Sequence, residues 1–304
     1  MAALRHTVKR AERVERLGYH RFWVAEHHAV PGIASGSPPV LIAAVAARTG
    51  SIRVGSGGVM LPNHQPLVVA EQFAMLEALF PGRIDLGVGR SLGFTPPVRT
   101  ALRRDAGEPD TFAADVAELR AYLEGTAPVT ARPRLGHPVP VFVLATGRGL
   151  PAAGDAGLPV VVGGPVLGTD AITDALDDYR ARVRAAGREP YVVVSVDVLV
   201  ADSVATAREL ALPEAWALAA ARTTGEFPAL EPVAPDRPMT PRQTAVVEEA
   251  VGRTVHGDEA TVGAELDKLL TRTGADELLV STSTFDHAAL AESDARLARL
   301  LSVG

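Results

Sequence analysis

The sequence predicts an α/β fold: an (α/β)8 barrel of the TIM type, apparently lacking its first β-strand. Three observations carry that expectation. Helix-period and strand-like segments alternate along most of the 304 residues, and that alternation calls for a parallel sheet with crossover helices. About seven strand-like segments are present, where a barrel of this type closes with eight. The deficit lies at the front, because the chain opens on a helix. An open seam leaves edge hydrogen bonds unpaired. Either another segment fills it, or the native start lies upstream of Met1, or the barrel is split.

In order along the chain, Leu4, Val8, Ala11, Val14 and Leu17 recur at helical spacing and Gly18 stops the helix. Residues 19–25 read as the first strand, which runs straight into Glu26-His27-His28. A Gly/Ser/Pro loop at 30–39 leads to a helix of small apolar residues at 40–48. Residues 52–61 form a second strand with glycines inside it, and 62–65 a turn. Pro66 suits the first position of a helix that buries Val69, Phe73, Leu76 and Phe80. The third strand is 83–90, and a polar helix covers 111–123. Further strands are expected at 139–145, 159–163, 191–200 and 277–283. Helices are expected near 170–186, 205–221, 241–255, 260–271 and 286–301. Pro228, Pro232, Pro235, Pro238 and Pro241 mark 224–241 as a lid or insertion. No repeat or linker divides the chain, so 1–304 is expected to be a single domain.

Composition excludes several classes. There is no cysteine, hence no disulfide and nothing that points to secretion. Residues 1–17 carry charges throughout, unlike a signal peptide. The apolar run at 38–47 is shorter than the ~20 residues that span a bilayer. A cytoplasmic protein without membrane contact is expected. A net charge of −6 without a basic stripe argues against nucleic acid.

Four constellations could carry chemistry. Glu26-His27-His28 sits at the C-terminal lip of a strand, where barrels of parallel strands place their reactive groups. Side chains alternate along an extended chain, so one imidazole can face the barrel axis and its neighbour the helices. One histidine would act as a base or hydrogen-bond donor oriented by a carboxylate; the alternative is a strand-end turn with satisfied histidines. No His-x-His or His-x-x-x-His pattern occurs, so no metal is expected. Gly55-Ser56-Gly57-Gly58 is not a dinucleotide loop, because Val59-Met60-Leu61 continues the strand. Glycines there mark a bulge, or a backbone against which a flat ligand lies. Arg90, after Gly87-Val88-Gly89, suits a phosphate or carboxylate, and equally a solvated strand end. Thr146-Gly147-Arg148-Gly149 leads into a short helix and could form an anion nest.

Together these residues resemble the bacterial luciferase-like flavin monooxygenase family across almost the whole chain. The specific part is LGYHRFWVAEHH followed by RVGSGGVMLPNHQPLVVAEQFAMLEALFPGRIDLGVGR; the tail VHGDEATVGAELDKLLTRTGADELLVSTSTFDH is supportive. The resemblance implies an (α/β)8 barrel that binds reduced FMN, supplied by a separate flavin reductase, and uses dioxygen to oxidise a small organic substrate. It implies that His27 is the pocket histidine nearest the reacting part of the flavin, with Glu26 and His28 as catalytic neighbours. Gly57 and Gly58 match a dipeptide that often takes a cis bond behind the flavin ring. Arg90, Thr146, Gly147 and Arg148 match flavin-phosphate positions. Members often form homodimers through the helices at 40–48 and 66–80. Members also begin with a strand before the first helix, which this chain lacks. Two rivals share the fold: a deazaflavin-dependent oxidoreductase that transfers hydride without dioxygen, and a flavin-binding relative without turnover. A metal-dependent hydrolase is a third.

Overall fold

The computed structural model describes residues 2–93, 95–104, 107, 109–147 and 149–302. The first half of the chain contains α1 (Ala2–Arg16), β1 (Arg21–Val24), α2 (Pro38–Ala46), β2 (Arg53–Met60), α3 (Pro66–Leu79), β3 (Ile84–Gly89), α4 (Pro96–Ala101), α5 (Phe112–Glu124), β4 (Val141–Ala145) and α6 (Leu150–Asp155). The second half contains β5 (Val160–Gly163), α7 (Ala171–Ala185), β6 (Val192–Val196), β7 (Val198–Val200), α8 (Val204–Thr224), α9 (Pro241–Arg253), β8 (Val255–Gly257), α10 (Glu259–Thr273), β9 (Glu277–Val280) and α11 (His287–Ser302). The main sheet has seven strands in the order β1-β2-β3-β4-β5-β6-β9. This is the α/β strand order of a TIM-type barrel that is one strand short, with no described strand before α1. By contact density the chain forms two compact units. One comprises Met1–Ala29, Ala34–Val161 and Asp178–Pro190; the other comprises Val30–Ile33, Val162–Asp177 and Tyr191–Gly304.

In the first unit β1 to β4 are parallel. Arg21 pairs with Arg53, Val54 with Ile84 and Val88 with Val143, and the register shifts between Ser56 and Val59. The bulge is where the glycines lie. A Cβ on Gly58 would come within 2.8 Å of the Gly87 carbonyl oxygen, and one on Gly87 would strike the Ser56 carbonyl. Ser56 Oγ stitches the same strands, donating to Gly87 O at 2.8 Å and accepting from Gly87 N at 3.1 Å. Close backbone approach therefore explains Gly58 and Gly87. Ile42, Leu61, Phe73, Ile84, Leu86 and Leu119 fill the core without exposure. Glu15 of α1 fixes the entry to β2 by accepting from the backbone N–H of Gly50, Ser51 and Ile52. Burial opposes its charge, but those bonds and the Ser51 hydroxyl bring its carboxyl down to about 2.

In the second unit β6 pairs in parallel with β9 (Val194 with Leu278). The expected strand 191–200 is broken at Asp197. Its second half, β7, leaves the main sheet and pairs with β8, Val198 opposite Val255. The three-residue β8, Val-His-Gly, is too short to print a period of two, which is why the sequence assigned Val255 to a helix end. The short α4 was also unexpected. Helix ends follow side-chain logic: Ser203 and Asp258 cap α8 and α10, and Thr240 with Gln243 forms a capping box on α9. Val247, Val251, Leu199 and Leu212 bury the α8–α9 seam, and Val233 and Met239 of the Pro-rich segment pack on it. That segment is anchored at both ends. Arg237 lies 3.9 Å over the Trp216 ring, and Gly32 N donates to Phe227 O at 3.0 Å. A Cβ at Gly32 would strike the Pro228 carbonyl, so only glycine fits.

Candidate active site

The strand β1 delivers Glu26, His27 and His28 just past its C-terminal end. The turn that follows is clamped. His27 N donates to Ser35 O at 2.8 Å, and Ser35 Oγ donates to Ala25 O. Ala29 takes a left-handed φ of 52°, uncommon for a residue with a Cβ.

Glu26 is the centre of the site. Its side chain is fully enclosed. Oε2 accepts from Met60 N at 2.8 Å, at the end of β2. Oε1 meets His28 Nε2 at 2.6 Å and His64 Nε2 at 2.7 Å. Burial pushes the carboxyl up, but the bonds from His64, Met60 N and His28 outweigh it and hold Glu26 below the usual range. For His27, burial and the charge of His28 push the imidazole down, against the opposing pull of Glu26. A neutral ring beside a charged carboxylate suits accepting or relaying a proton.

Glu26, His28 and His64 also form the one metal-capable cluster of histidine and acid ligands among the described residues. Their contacts are hydrogen bonds. A zinc ion would hold each donor atom ~2.0–2.2 Å away and the donors about 3.3 Å from one another, wider than the 2.6 and 2.7 Å here.

The other expected residues leave neighbouring strands at the same lip. The Gly57–Gly58 peptide is cis, as the resemblance implies. Arg90 follows β3 and is exposed, with its guanidinium 2.6 Å from Asp110. Thr146 and Gly147 follow β4; Thr146 is exposed and Gly147 has a φ of 101°. Arg148 lies outside the described residues. The helix after this turn, α6, is only six residues long. The structure thus joins Glu26 and His28 directly and ties them to the end of β2; no bond links them to Arg90 or Thr146. The sequence reading missed His64 and Asn63, which it placed in a plain turn. Both nitrogen and oxygen of the Asn63 carboxamide are buried without a hydrogen-bond partner among the described residues. The available signal was their place, polar residues between a strand end and a helix start.

The second unit has a polar cavity of about 40 Å³ lined by Glu214, Asp197, Arg253, Thr282 and Ser283. Burial, and then the charge of Asp197, push Glu214 up to about 8, against a bond from Ser283 N. An acid raised this way is protonated in the folded chain and ionised in the unfolded chain between its ordinary value of 4.5 and about 8. Folding therefore takes up a proton in that window, and stability falls as pH rises through it. The Glu214→Gln variant is expected to remove that fall, worth on the order of 3–5 kcal/mol by about pH 9. Parallel urea titrations of both proteins from about pH 5 to about pH 9 check it; parallel pH curves would refute the buried neutral acid.

Comparison with known proteins agrees with this architecture. The family model for luciferase-like monooxygenases matches residues 1–277. A luciferase-like monooxygenase of Escherichia coli is 38% identical over 297 residues, covering 94% of this chain and 88% of its own. The N-acetyl-S-alkylcysteine monooxygenase of Bacillus subtilis is 47% identical over 130 residues, 42% of this chain and 39% of that protein. The crystal structure of apo-MsnO8 superposes with a TM-score of 0.83 at 33% identity, covering 100% of this chain and 94% of that one. At 19% and 16% identity, the oxygenating constituent of 3,6-diketocamphane monooxygenase from Pseudomonas putida, in complex with FMN, and an F420-dependent secondary alcohol dehydrogenase share the fold. Their TM-scores are 0.73 and 0.69, and they cover 97% and 96% of this chain and 91% and 92% of their own. Among the described residues no helix is long and apolar enough to cross a membrane. The chain belongs to the luciferase-like monooxygenase family.

Proposed function

We propose that the chain is a flavin-dependent monooxygenase that receives reduced FMN from a separate reductase and uses dioxygen on a small organic substrate. The observation that carries this reading is the lip of β1, where His27 sits beside the Glu26 carboxylate in a chain of this family. FMN is favoured because the family is one of monooxygenases and a monooxygenase of the same fold holds FMN. The deazaflavin reading is the rival, because a structure of the same fold holds an F420 adduct.

The residues present fit a flavin. The unpartnered Asn63 carboxamide both donates and accepts, which complements the carbonyl and N–H edge of an isoalloxazine ring. A Cβ at Gly57 would meet only Trp23, at 3.4 Å, so this glycine is not forced by packing as Gly58 is. When bound, the reduced flavin supplies the electrons that activate dioxygen. Gly57 and Gly58 would hold the ring. Arg90, now paired with Asp110, would hold the phosphate together with Thr146, Gly147 and Arg148. His27 would hold or move a proton through its imidazole. Glu26 and His28 would orient that end of β1. The chain acts as a single catalytic domain and as a homodimer. Support for the dimer is the exposed apolar side chains Val40, Val68, Met75 and Leu79 on α2 and α3. A monomeric mass by light scattering would remove it.

The test is an anaerobic titration with reduced FMN, followed by admission of air. Saturable binding, and a return of oxidised-flavin absorbance at a rate unlike free FMN, is expected. Hydride transfer from reduced deazaflavin without dioxygen uptake would favour the rival. Binding with no effect on reoxidation would favour a relative without turnover.

A further inference from the structure

The bond between His64 and Glu26 has no part in the roles assigned above. We infer that His64 is a positioning residue: it fixes the Glu26 carboxylate, and through it the His28 ring and the end of β2, for the reaction at His27. This rests on the monooxygenase reading and deepens it.

The geometry is specific. Glu26 Oε1 receives His28 and His64 at 2.6 and 2.7 Å, while Oε2 receives the Met60 N–H at 2.8 Å. Hydrogen bonds below the normal carboxylate range keep Glu26 ionised, and an ionised carboxylate only accepts. Both Nε2 atoms must therefore be N–H donors. Each ring is left with Nδ1 as the atom that can face a ligand, so one carboxylate sets the ring orientation of two histidines. The two imidazoles come from different places: His28 follows β1, and His64 lies 38 residues beyond Glu26 in the turn after β2. That turn also carries Asn63, whose carboxamide lacks a partner among the described residues. Fixing His64 thus fixes the end of β1 and the turn after β2 at once. Without it, Oε1 keeps a single donor and the carboxylate can swing with His28. A misplacement near 1 Å at a reacting site costs about a hundredfold in rate.

Two variants separate positioning from bulk structure. His64→Gln keeps a neutral N–H donor at the reach of Nε2, and His64→Leu keeps volume without a donor. The first readout uses the protein without flavin: low-field proton NMR of the imidazole N–H groups, with His28→Gln for assignment. Both His64 variants should lose one resonance; His64→Leu should move the His28 resonance, and His64→Gln should leave it in place. The second readout is the rate at which protein-bound reduced FMN consumes dioxygen. It should fall about a hundredfold in His64→Leu and stay within about threefold of wild type in His64→Gln. An unmoved His28 resonance, or an unchanged rate in His64→Leu, overturns the inference. If the wild-type chain does not bind reduced FMN, the monooxygenase reading fails and the catalytic half of the inference falls with it. The NMR arm still decides whether His64 fixes Glu26.

Discussion

Replacing His27 by phenylalanine is expected to slow the reaction of protein-bound reduced FMN with dioxygen by about 10²–10⁴-fold, the usual worth of a positioned acid–base group. The dissociation constant for reduced FMN should change by less than about threefold, since phenylalanine keeps a flat aromatic ring at that place and loses the ring nitrogens. The pH profile gives a second signature. Burial and the charge of His28 hold the His27 imidazole below its ordinary 6.5, against the pull of Glu26. If the neutral ring does the work, the rate drops as pH falls through that lowered value and is flat above it. In His27→Phe this acid limb should vanish. Stopped-flow measurements across pH check both. A variant with wild-type rate and an unchanged acid limb would remove His27 from the reaction and leave the cluster as a structural staple of β1.

The parts of this molecule that were legible from sequence are those written in local patterns. Strand β1 ends in three titratable residues, and alternation with a helix on either side placed them at a strand lip. The glycines of β2 announced a bulge, and the register shift lies there. What could not be read is long range. Nothing near Glu26 says that its partner is His64, because the contact depends on how β1 and β2 pair. The break at Asp197 is equally hard to read, since 192–200 is apolar apart from Ser195 and Asp197 and its two halves differ in which neighbouring strand they find. Two signals were available and went unused. Glu214 is an acid in an alanine-rich helix, and Asp85 is an acid inside an apolar strand. Such residues are rarely buried without partners; in the structure Asp85 is bound by two arginines, and Glu214 lines a cavity as a protonated acid.

Asp85 carries the largest expected loss of stability. It is fully buried in β3 and accepts from Arg21 Nη1 at 2.7 Å, from Arg53 Nε and Nη2 at 3.0 and 2.5 Å, and from Trp23 Nε1 at 3.1 Å. The Arg21 guanidinium also lies 5.5 Å from the Trp23 ring and 5.2 Å from the Phe142 ring, so desolvation is severe. Removing the carboxylate in Asp85→Ala takes the bonds it accepts from a nearly enclosed Arg21, from Arg53, which is three-quarters enclosed, and from the Trp23 indole. Breaking a buried pair in this way costs about 3–5 kcal/mol, which lowers the urea midpoint by about 1–2 M for m near 2–3 kcal/mol/M. Trp23 reports this unit directly once Trp216 is replaced by phenylalanine, because the chain has two tryptophans. A loss below about 1 kcal/mol would mean that the cluster is screened like a surface pair. The cluster also bears on the site. It joins the first residues of β1 and β2 to β3, and so sets the register that carries Glu26 to Met60 N at the opposite end. Loss of flavin binding in Asp85→Ala should therefore track loss of Trp23 structure along the urea axis. Flavin binding that failed while Trp23 stayed native would mean that Asp85 acts on the site by a route other than strand register.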